Sequence, residues 1–466
     1  MHRLILHGLI ELRQNYWFWP SVLTLLAIAA GFAMPVFDRA IGNEWVSGSD
    51  TLRGMQVEGA RSLLTTVAAA VLGVAGVSFS ITIVAVSFAS GNYGPRLIGN
   101  FMRDRTNQVV LGVFLSTFVY CIVLLRAVHA ATGEGGGDGL AAFVPQTGIL
   151  LAMALMLISV GALIYFIHHV PESINIMNLS ARIGGELREA ISAELGEAED
   201  ESAAGEHHPA ITGAPIAPSD EPEDDEAVHE TRAAIAGYVQ RYDLERLREL
   251  AEEKELRVRI LVRPGEFVVR GAVLMRAWPR DVLTEDDQDA VAQCVILGSE
   301  RTSVQDVYFL SDELVEMVAR ALSPGVNDPH TAMTCLDWLR VGLSEFAQRC
   351  QGRMADDGGS VIFERVTFEG MLKRSFGRMR QYVAADRNVT LHALNLLADL
   401  AAMTKRDEQR DAVLHEMEQL AGSAGELLSE SAAREEVKAR FDEARRRIAA
   451  GKSSPAPRRA SHTLAA

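Results

Sequence analysis

The sequence predicts an α-helical membrane domain of four spanning helices, followed by a C-terminal mixed α/β cytoplasmic domain. Three observations lead to this fold class. Four apolar runs, each about as long as a bilayer-spanning helix, precede Pro171. The chain beyond Pro171 is charged and shows strand-like and helical periodicities. With 466 residues, the chain has room for about three domains.

Composition excludes several classes of protein. The formal net charge is −16 and the pI is about 5.3, which argues against a nucleic-acid-binding protein, because such proteins need clustered Lys and Arg facing phosphate. No short paired spacing occurs among the cysteines, which are Cys121, Cys294, Cys335 and Cys350. A disulfide scaffold and a zinc ribbon are therefore excluded, and the usage suits a reducing cytoplasm.

The apolar runs define the expected spans. They extend from about Trp17 to Phe37, Ser62 to Ser90, Val109 to Leu125 and Gly148 to Ile167. The first run is too long for the apolar region of a typical signal peptide, and three more spans follow it. We therefore interpret it as a retained helix.

Basic residues in the short flanks predict the orientation. With the amino terminus inside, seven arginines flank the inner ends of the spans and four flank the outer ends. The outer loop at Ala131 to Gly139 is acidic and glycine-rich. We expect a multi-pass protein of the bacterial inner membrane with both termini in the cytoplasm.

The second span carries a stripe of small and hydroxylated residues at alternating steps of four and three. Apart from the larger Ile83, the stripe consists of Ser62, Thr66, Ala69, Gly73, Gly76, Ser80, Ser87 and Ser90. This spacing keeps one helix face turned toward a partner. Small residues let helix backbones approach in lipid, so the stripe predicts a packing seam, either inside the bundle or between subunits. The alternative is the wall of a hydrated pathway.

The second span ends in a basic segment. Gly91 and Asn92 are suited to a helix end, and the Gly94–Pro95 pair forces a turn. Three arginines then predict contact with anionic lipid headgroups: Arg96, Arg103 and Arg105. A role in drawing anions or lipid headgroups is the alternative to simple anchoring.

The predicted organisation has six parts. These are a membrane domain at 1–170, an amphipathic connecting helix at 171–193, an acidic flexible linker at 194–230, a mixed α/β domain at 231–363, C-terminal helices at 364–450 and a disordered tail at 451–466. The linker holds thirteen acidic residues and no Lys or Arg, so it cannot bury enough apolar surface to offset ordering entropy.

Local patterns predict elements within the cytoplasmic part. A helix capped by Asp243 follows a short strand, and residues 256–278 alternate like strands around a turn at Pro264–Gly265. The string GEFVVRGAVL resembles the hairpin of biotinyl- and lipoyl-type domains, which implies at most a β-hairpin and no cofactor. Helices are expected at about Glu285 to Leu297 and at Ser311 to Leu322.

The loop SPGVNDPHT is a candidate ligand loop. Its polar and turn-forming residues are Ser323, Gly325, Asn327, Asp328 and His330. Asn327 or Asp328 could cap a following helix with Pro329 at its first position, which is the structural interpretation. The alternatives are a ligand or ion site and, least favoured, catalysis, because no nucleophile or second carboxylate is fixed by spacing. We predict no metal and no catalytic residues.

Several motifs do not occur in the sequence. It contains no P-loop, no dinucleotide-binding glycine motif, no H-E-x-x-H and no G-x-S-x-G. An ATP-driven pump and a membrane protease are therefore not expected.

Three strings together resemble a bacterial family of predicted membrane proteins known only as a domain of unknown function, number twenty-two fifty-four. They are GVSFSITIVAVSFASGNYGPRLIGNFMRDR, RPGEFVVRGAVL and ALSPGVNDPHTA. The resemblance implies a multi-pass inner-membrane protein with a cytosolic domain, and it supplies no activity and no functional residues.

The favoured functional hypothesis is a homo-oligomeric, channel-like protein whose cytoplasmic domain gates or senses. Its partners would be the lipid bilayer, further copies of the chain and an unknown ion. The competing hypothesis is a non-conducting scaffold or signalling protein that recruits a cytosolic protein. An enzyme is the third possibility.

Overall fold

The protein is described by a computed structural model that covers residues 17–41, 56–93, 105–129, 143–195, 227–348, 360–364 and 366–451. The chain divides into two compact units, an N-terminal unit of residues 1–178 and a C-terminal unit of residues 179–466.

The N-terminal unit contains the four expected helices. They are α1 (Phe18–Ile41), α2 (Val57–Tyr93), α3 (Arg105–Leu125) and α4 (Gln146–Ile174). Each is long and apolar enough to cross a membrane. The helix α3 packs against the other three, and its buried face carries Phe114, Tyr120 and Leu124. The prediction of four spanning helices therefore agrees with the helices of the described residues.

Two of these helices extend well beyond the apolar runs. At 37 residues, α2 measures about 56 Å, nearly twice the hydrocarbon thickness. The helix α1 continues to Ile41 and so includes Asp38, which is only 4% exposed. The Asp38 carboxylate accepts hydrogen bonds from the backbone N–H groups of Thr147 and Gly148, each at 3.2 Å. An acid on α1 thus caps the first turn of α4, where the helix dipole favours negative charge.

Polar bonds also join α3 to α4. The hydroxyl of Tyr120 donates to the carbonyl of Gly148 at 2.9 Å, and Thr117 Oγ1 lies 3.0 Å from Ser159 Oγ. These pairings show that the two helices run antiparallel, so the start of α3 lies beside the end of α4.

Helix α5 (Ile176–Leu195) follows α4 after a single residue, Asn175. The Asn175 side-chain oxygen accepts from the backbone N–H of Met177, which caps the new helix. One face of α5 is fully buried, at Ile183, Leu187 and Ile191. Helix α5 occupies most of the segment 171–193 that was predicted to connect the domains, and it begins at Ile176 because α4 continues through Pro171 to Ile174.

The C-terminal unit contains two small sheets. Their strands are β1 (His229–Arg232), β2 (Gly237–Tyr242), β3 (Arg257–Ile260), β4 (Phe267–Val268), β5 (Val273–Trp278), β6 (Val295–Gly298) and β7 (Val361–Ile362). One sheet has the order β1-β5-β3-β7, with β3 and β7 parallel, and the other has the order β4-β2-β6. The sheets share a core with helices α6 (Leu244–Glu253) and α7 (Glu285–Ala292). Val239, Leu247, Val258 and Met275 are fully buried in that core.

The prediction of a hairpin within GEFVVRGAVL is wrong. Strand β4 pairs with β2, whereas β5 pairs with β1 and β3. Gly271, at φ +87°, donates its N–H to Ala233 and so turns the chain from one sheet to the other. Residues 295–297, predicted as the end of a helix, belong to β6 instead, because this strand pairs with β2.

Helices make up the rest of the C-terminal unit. They are α8 (Val307–Ala321), α9 (Pro329–Gln348), α10 (Phe368–Leu372), α11 (Arg378–Val383), α12 (Arg387–Met403), α13 (Asp407–Leu427) and α14 (Ser431–Gly451). A π-helical segment, Lys373–Gly377, joins α10 to α11. Helix α8 begins four residues before the predicted start at Ser311, because Asp306 caps it, and Ser311 is buried inside it.

Helix α5 packs closely on α9. A Cβ at Gly184 would lie 2.7 Å from Trp338 Cβ, and one at Gly342 would lie 2.7 Å from Leu187 Cδ2. Glycines therefore allow this crossing. Most of the predicted acidic linker, at 196–226, and the tail beyond Gly451 lie outside the described residues.

Candidate functional site

The stripe of small residues on α2 faces away from the other helices of the N-terminal unit. Its described members are all exposed: Ser62, Thr66, Ala69, Gly73, Gly76, Ser80, Ile83 and Ser87. The side chain of Ser90 lies outside the described residues. The opposite face of α2 is buried and carries Leu64, Val71 and Thr82. The stripe is therefore not a seam inside the bundle of a single chain.

The surface along the stripe is open. Nothing lies within 4 Å of the position that a Cβ would take at Gly73 or at Gly76. In the part of the chain that the structure describes, the hydroxyls of Ser62, Ser80 and Ser87 have no hydrogen-bond partner. A hydroxyl in the bilayer gains by finding a partner, since water is scarce there.

Of the three predicted membrane-surface arginines, the structure places one. Arg105 is the first residue of α3 and is exposed. Arg96 and Arg103 lie outside the described residues.

Local hydrogen bonds at the candidate ligand loop hold the side chains of Ser323 and Asp328. The Asp328 carboxylate accepts from the Thr331 backbone N–H at 3.1 Å and from the Thr331 hydroxyl at 2.6 Å, which caps α9. Ser323 donates its hydroxyl to the Arg320 carbonyl at 2.6 Å, and Asn327 takes a left-handed φ of +49° to close the turn. Gly325 and His330 are exposed. These contacts match a capped helix–turn–helix.

Replacing Asp328 by alanine should destabilise the start of α9. Loss of an N-cap side chain costs about 1 kcal/mol, and hydrogen bonds from Thr331 lower the pKa of Asp328, which shows that the carboxylate is the favoured form. Hydrogen exchange of peptides that cover the first turns of α9 measures the change. Asp328→Ser retains a capping oxygen and serves as the control. Equal protection in Asp328→Ala and the unmodified chain would contradict the assignment of a cap.

A cluster of charged residues that the sequence did not suggest centres on Asp312. This carboxylate is 6% exposed and binds Arg301 at 2.8 Å, Arg374 at 2.8 Å and Arg378 at 3.2 Å. Arg301 also binds Asp306 at 2.6 Å. Burial alone would raise the pKa of Asp312, but the hydrogen bonds from Arg374 and Arg301 outweigh it and hold that pKa below its usual value.

The cluster joins three parts of the C-terminal unit. Arg301 and Asp306 belong to the segment between β6 and α8, Asp312 lies on α8, and Arg374 lies on the π-helical segment. Arg374 also stacks on Tyr308, with 4.8 Å between its guanidinium carbon and the ring centre. π-helical segments are uncommon and often occur at functional positions. We call this cluster the Asp312 junction.

The Asp312 junction also contacts the turn at Gly265. Gly265 has a φ of +87°, and a Cβ there would overlap Asp306 Oδ2. The predicted Pro264–Gly265 turn is thus confirmed. Glycine is required at position 265 because the backbone has a positive φ and because Asp306 leaves no room for a Cβ.

Among the described residues, no group of three or more His, Cys, Asp and Glu side chains is placed to hold a metal ion. The described cysteines, Cys121, Cys294 and Cys335, are buried and unpaired. Burial raises the pKa of Cys294 to about 11 and that of Cys335 to about 12, so both thiols are protonated at neutral pH.

Three curated proteins resemble this chain, and all are described only as uncharacterized. One is from Mycobacterium bovis and two are from Mycobacterium tuberculosis. Each is 30% identical over 362 residues, which is 76% of this chain and 66% of the relative. The chain thus spans about two thirds of the length of these relatives. No solved structure was found to match it.

The family described as "Predicted membrane protein (DUF2254)" matches residues 13–399. The match includes all four apolar helices, the Asp312 junction and the candidate ligand loop. It covers far more than half of the sequence, so this chain belongs to the DUF2254 family of predicted membrane proteins.

Proposed function

We propose that this chain is a multi-pass protein of the bacterial inner membrane that forms a homo-oligomer through the α2 stripe and contains a channel-like ion pathway. Both termini lie in the cytoplasm, and the C-terminal unit acts as its gate or sensor. The observation that carries the proposal is the outward position of the stripe. A row of glycine, serine and threonine lies opposite the face that binds the other helices.

Membrane physics favours a protein or water partner for such a face. Between helices in lipid, close packing and hydrogen bonds drive association, and small residues permit both. The open space at Gly73 and Gly76 would admit a neighbouring helix backbone. The hydroxyls of Ser80 and Ser87 would then bond to that helix or to water in a pathway.

Two features support a gating or sensing role. The last span connects to α5 through one residue, Asn175, and α5 contributes buried side chains to the C-terminal unit. A short link of this kind can pass a displacement along the chain. The Asp312 junction joins the sheets to the helices of that unit and so can couple their positions.

Cysteine crosslinking in membranes tests the interface. We expect Ser80→Cys to form a disulfide-linked dimer and Ile81→Cys to form far less, because consecutive helix residues point about 100° apart. Ile81 is also exposed, so it is matched for access. Cys350 is first replaced by serine, and the other native thiols are buried. Equal crosslinking at both positions would contradict the interface.

Ion flux tests the pathway. Purified protein in liposomes should release entrapped potassium chloride, and Gly76→Leu should slow that release about tenfold or more. A leucine at this position would occupy the open space beside the stripe, and a barrier raised by about 1.4 kcal/mol slows a rate about tenfold. Ala154→Leu adds three of the same four carbon atoms to an exposed site on α4 and should leave the rate unchanged. Liposomes that release no ions, combined with stoichiometric capture of a cytosolic protein, would favour the scaffold instead.

A further inference from the structure

A groove runs along the surface of the N-terminal unit between α3 and α4. Its volume is about 520 Å³, and its walls include Val109 and Val113 of α3 and Ile158 of α4. Gly161 forms part of its floor, and nothing lies within 4 Å of the position a Cβ would take there. The groove therefore exists because glycine stands where a larger residue would fill the space.

One end of the groove is polar and basic. Arg105 lies there, together with Tyr165 from the neighbouring helix. This arrangement follows from the antiparallel helices, since the first residue of α3 lies beside the last turns of α4. Arg105 is exposed and makes no ion pair with any residue in the described part of the chain. Tyr165 stacks on His169, with ring centres 5.5 Å apart, as is typical of aromatic residues at the membrane boundary.

The shape and charge of the groove together match a phospholipid. An apolar channel that opens toward the exposed guanidinium of Arg105 suits an acyl chain whose phosphate lies at the basic end. An anionic phospholipid offers both features at once, since its acyl chain suits the apolar walls and its phosphate can pair with Arg105. We propose that the α3–α4 groove is a binding site for an anionic phospholipid, with one acyl chain along Gly161 and the headgroup at Arg105.

Photocrosslinking tests the position of the acyl chain. Phosphatidylglycerol with a diazirine on one acyl chain is added to the full chain in nanodiscs, and the labelled peptides are identified by mass spectrometry. We expect labels on residues 105–113 and 158–165. Gly161→Leu should abolish them, whereas Val160→Leu, which adds bulk to an exposed neighbour, should not. Undiminished labelling in Gly161→Leu, or no label on these residues in the unmodified chain, would overturn the proposal.

Lipid selectivity tests the headgroup contact without altering the helix packing. Native mass spectrometry counts the phosphatidylglycerol and phosphatidylcholine that remain bound to each protomer in detergent. One arginine near a membrane surface favours an anionic lipid by about fivefold, so Arg105→Gln should lower the preference for phosphatidylglycerol by about that factor. Arg126→Gln, at the other end of α3, should keep it. Equal retention of both lipids by the unmodified chain would contradict the site, whatever the ion-flux assay shows.

Discussion

Replacing Asp312 by asparagine should destabilise the C-terminal unit by about 3–5 kcal/mol. Such a loss is expected when one partner of a buried ion pair is removed, because the remaining charges stay desolvated without compensation. Here Arg374 would face a neutral amide, and Arg301, only 12% exposed, would keep Asp306 as its one carboxylate partner among the described residues. Hydrogen exchange of peptides from α8, measured on the full chain in detergent, reports the change.

The matched control is Asp337→Asn. Asp337 is also on a helix and binds His392 at 2.9 Å, but it is 49% exposed. Exposed pairs contribute about 0–1 kcal/mol, so this change should be small. Similar losses of protection in both variants would show that the Asp312 junction contributes no more than a surface pair.

The pH dependence of stability provides a second test of Asp312→Asn. The pKa of Asp312 is lower in the folded chain than in the unfolded chain, where it is about 4. Ionised Asp312 therefore stabilises the folded chain above about pH 4. This stabilisation is lost as the pH falls through the pKa of Asp312 in the folded chain. The unmodified chain should therefore lose protection of α8 more steeply below about pH 4 than Asp312→Asn does.

Gly265→Ala should be the most damaging single-methyl change in the β-strand region. A non-glycine residue at a φ of +87° costs about 1–3 kcal/mol. The added Cβ would also overlap Asp306 Oδ2 and so displace the carboxylate that binds Arg301. Thermal unfolding of the full chain, with hydrogen exchange across β3, β5 and α8, measures the result.

Gly271→Ala separates the effect of backbone strain from that of overlap with Asp306. Gly271 also has a φ of +87°, but nothing lies within 4 Å of the position of its Cβ. Its substitution should cost only the backbone strain. If Gly265→Ala destabilises no more than Gly271→Ala, the contact between the turn and the Asp312 junction has no energetic role.

The membrane helices could be predicted from sequence because bilayer thickness imposes their length. The apolar runs place the helices correctly, although hydrophobicity alone could not show that α1 continues past Phe37 to bury Asp38. The helix caps could also be predicted from sequence. Asp243 caps α6 and Asp328 caps α9, and each stands directly before a helical pattern.

Contacts between residues that are far apart in the sequence could not be predicted in this way. The run Val295–Gly298 suits a strand or a helix, and its pairing with β2 decides between them. The Asp312 junction was missed because Arg374 and Arg378 lie 62 and 66 residues from Asp312 along the chain. The nearest signal was the run of polar residues at 311–313 within an otherwise apolar stretch. The outward direction of the α2 stripe likewise depends on which face binds the neighbouring helices.

The close crossing of α5 and α9 has a practical consequence for work with soluble fragments. Helix α5 precedes the acidic segment in the chain, yet its buried side chains cover Trp338 and the surface at Gly342. A fragment that starts after the acidic segment would lack α5 and expose that apolar surface to solvent. Such a fragment is expected to aggregate during expression. A fragment that keeps this apolar surface covered therefore has to begin at or before Ile176.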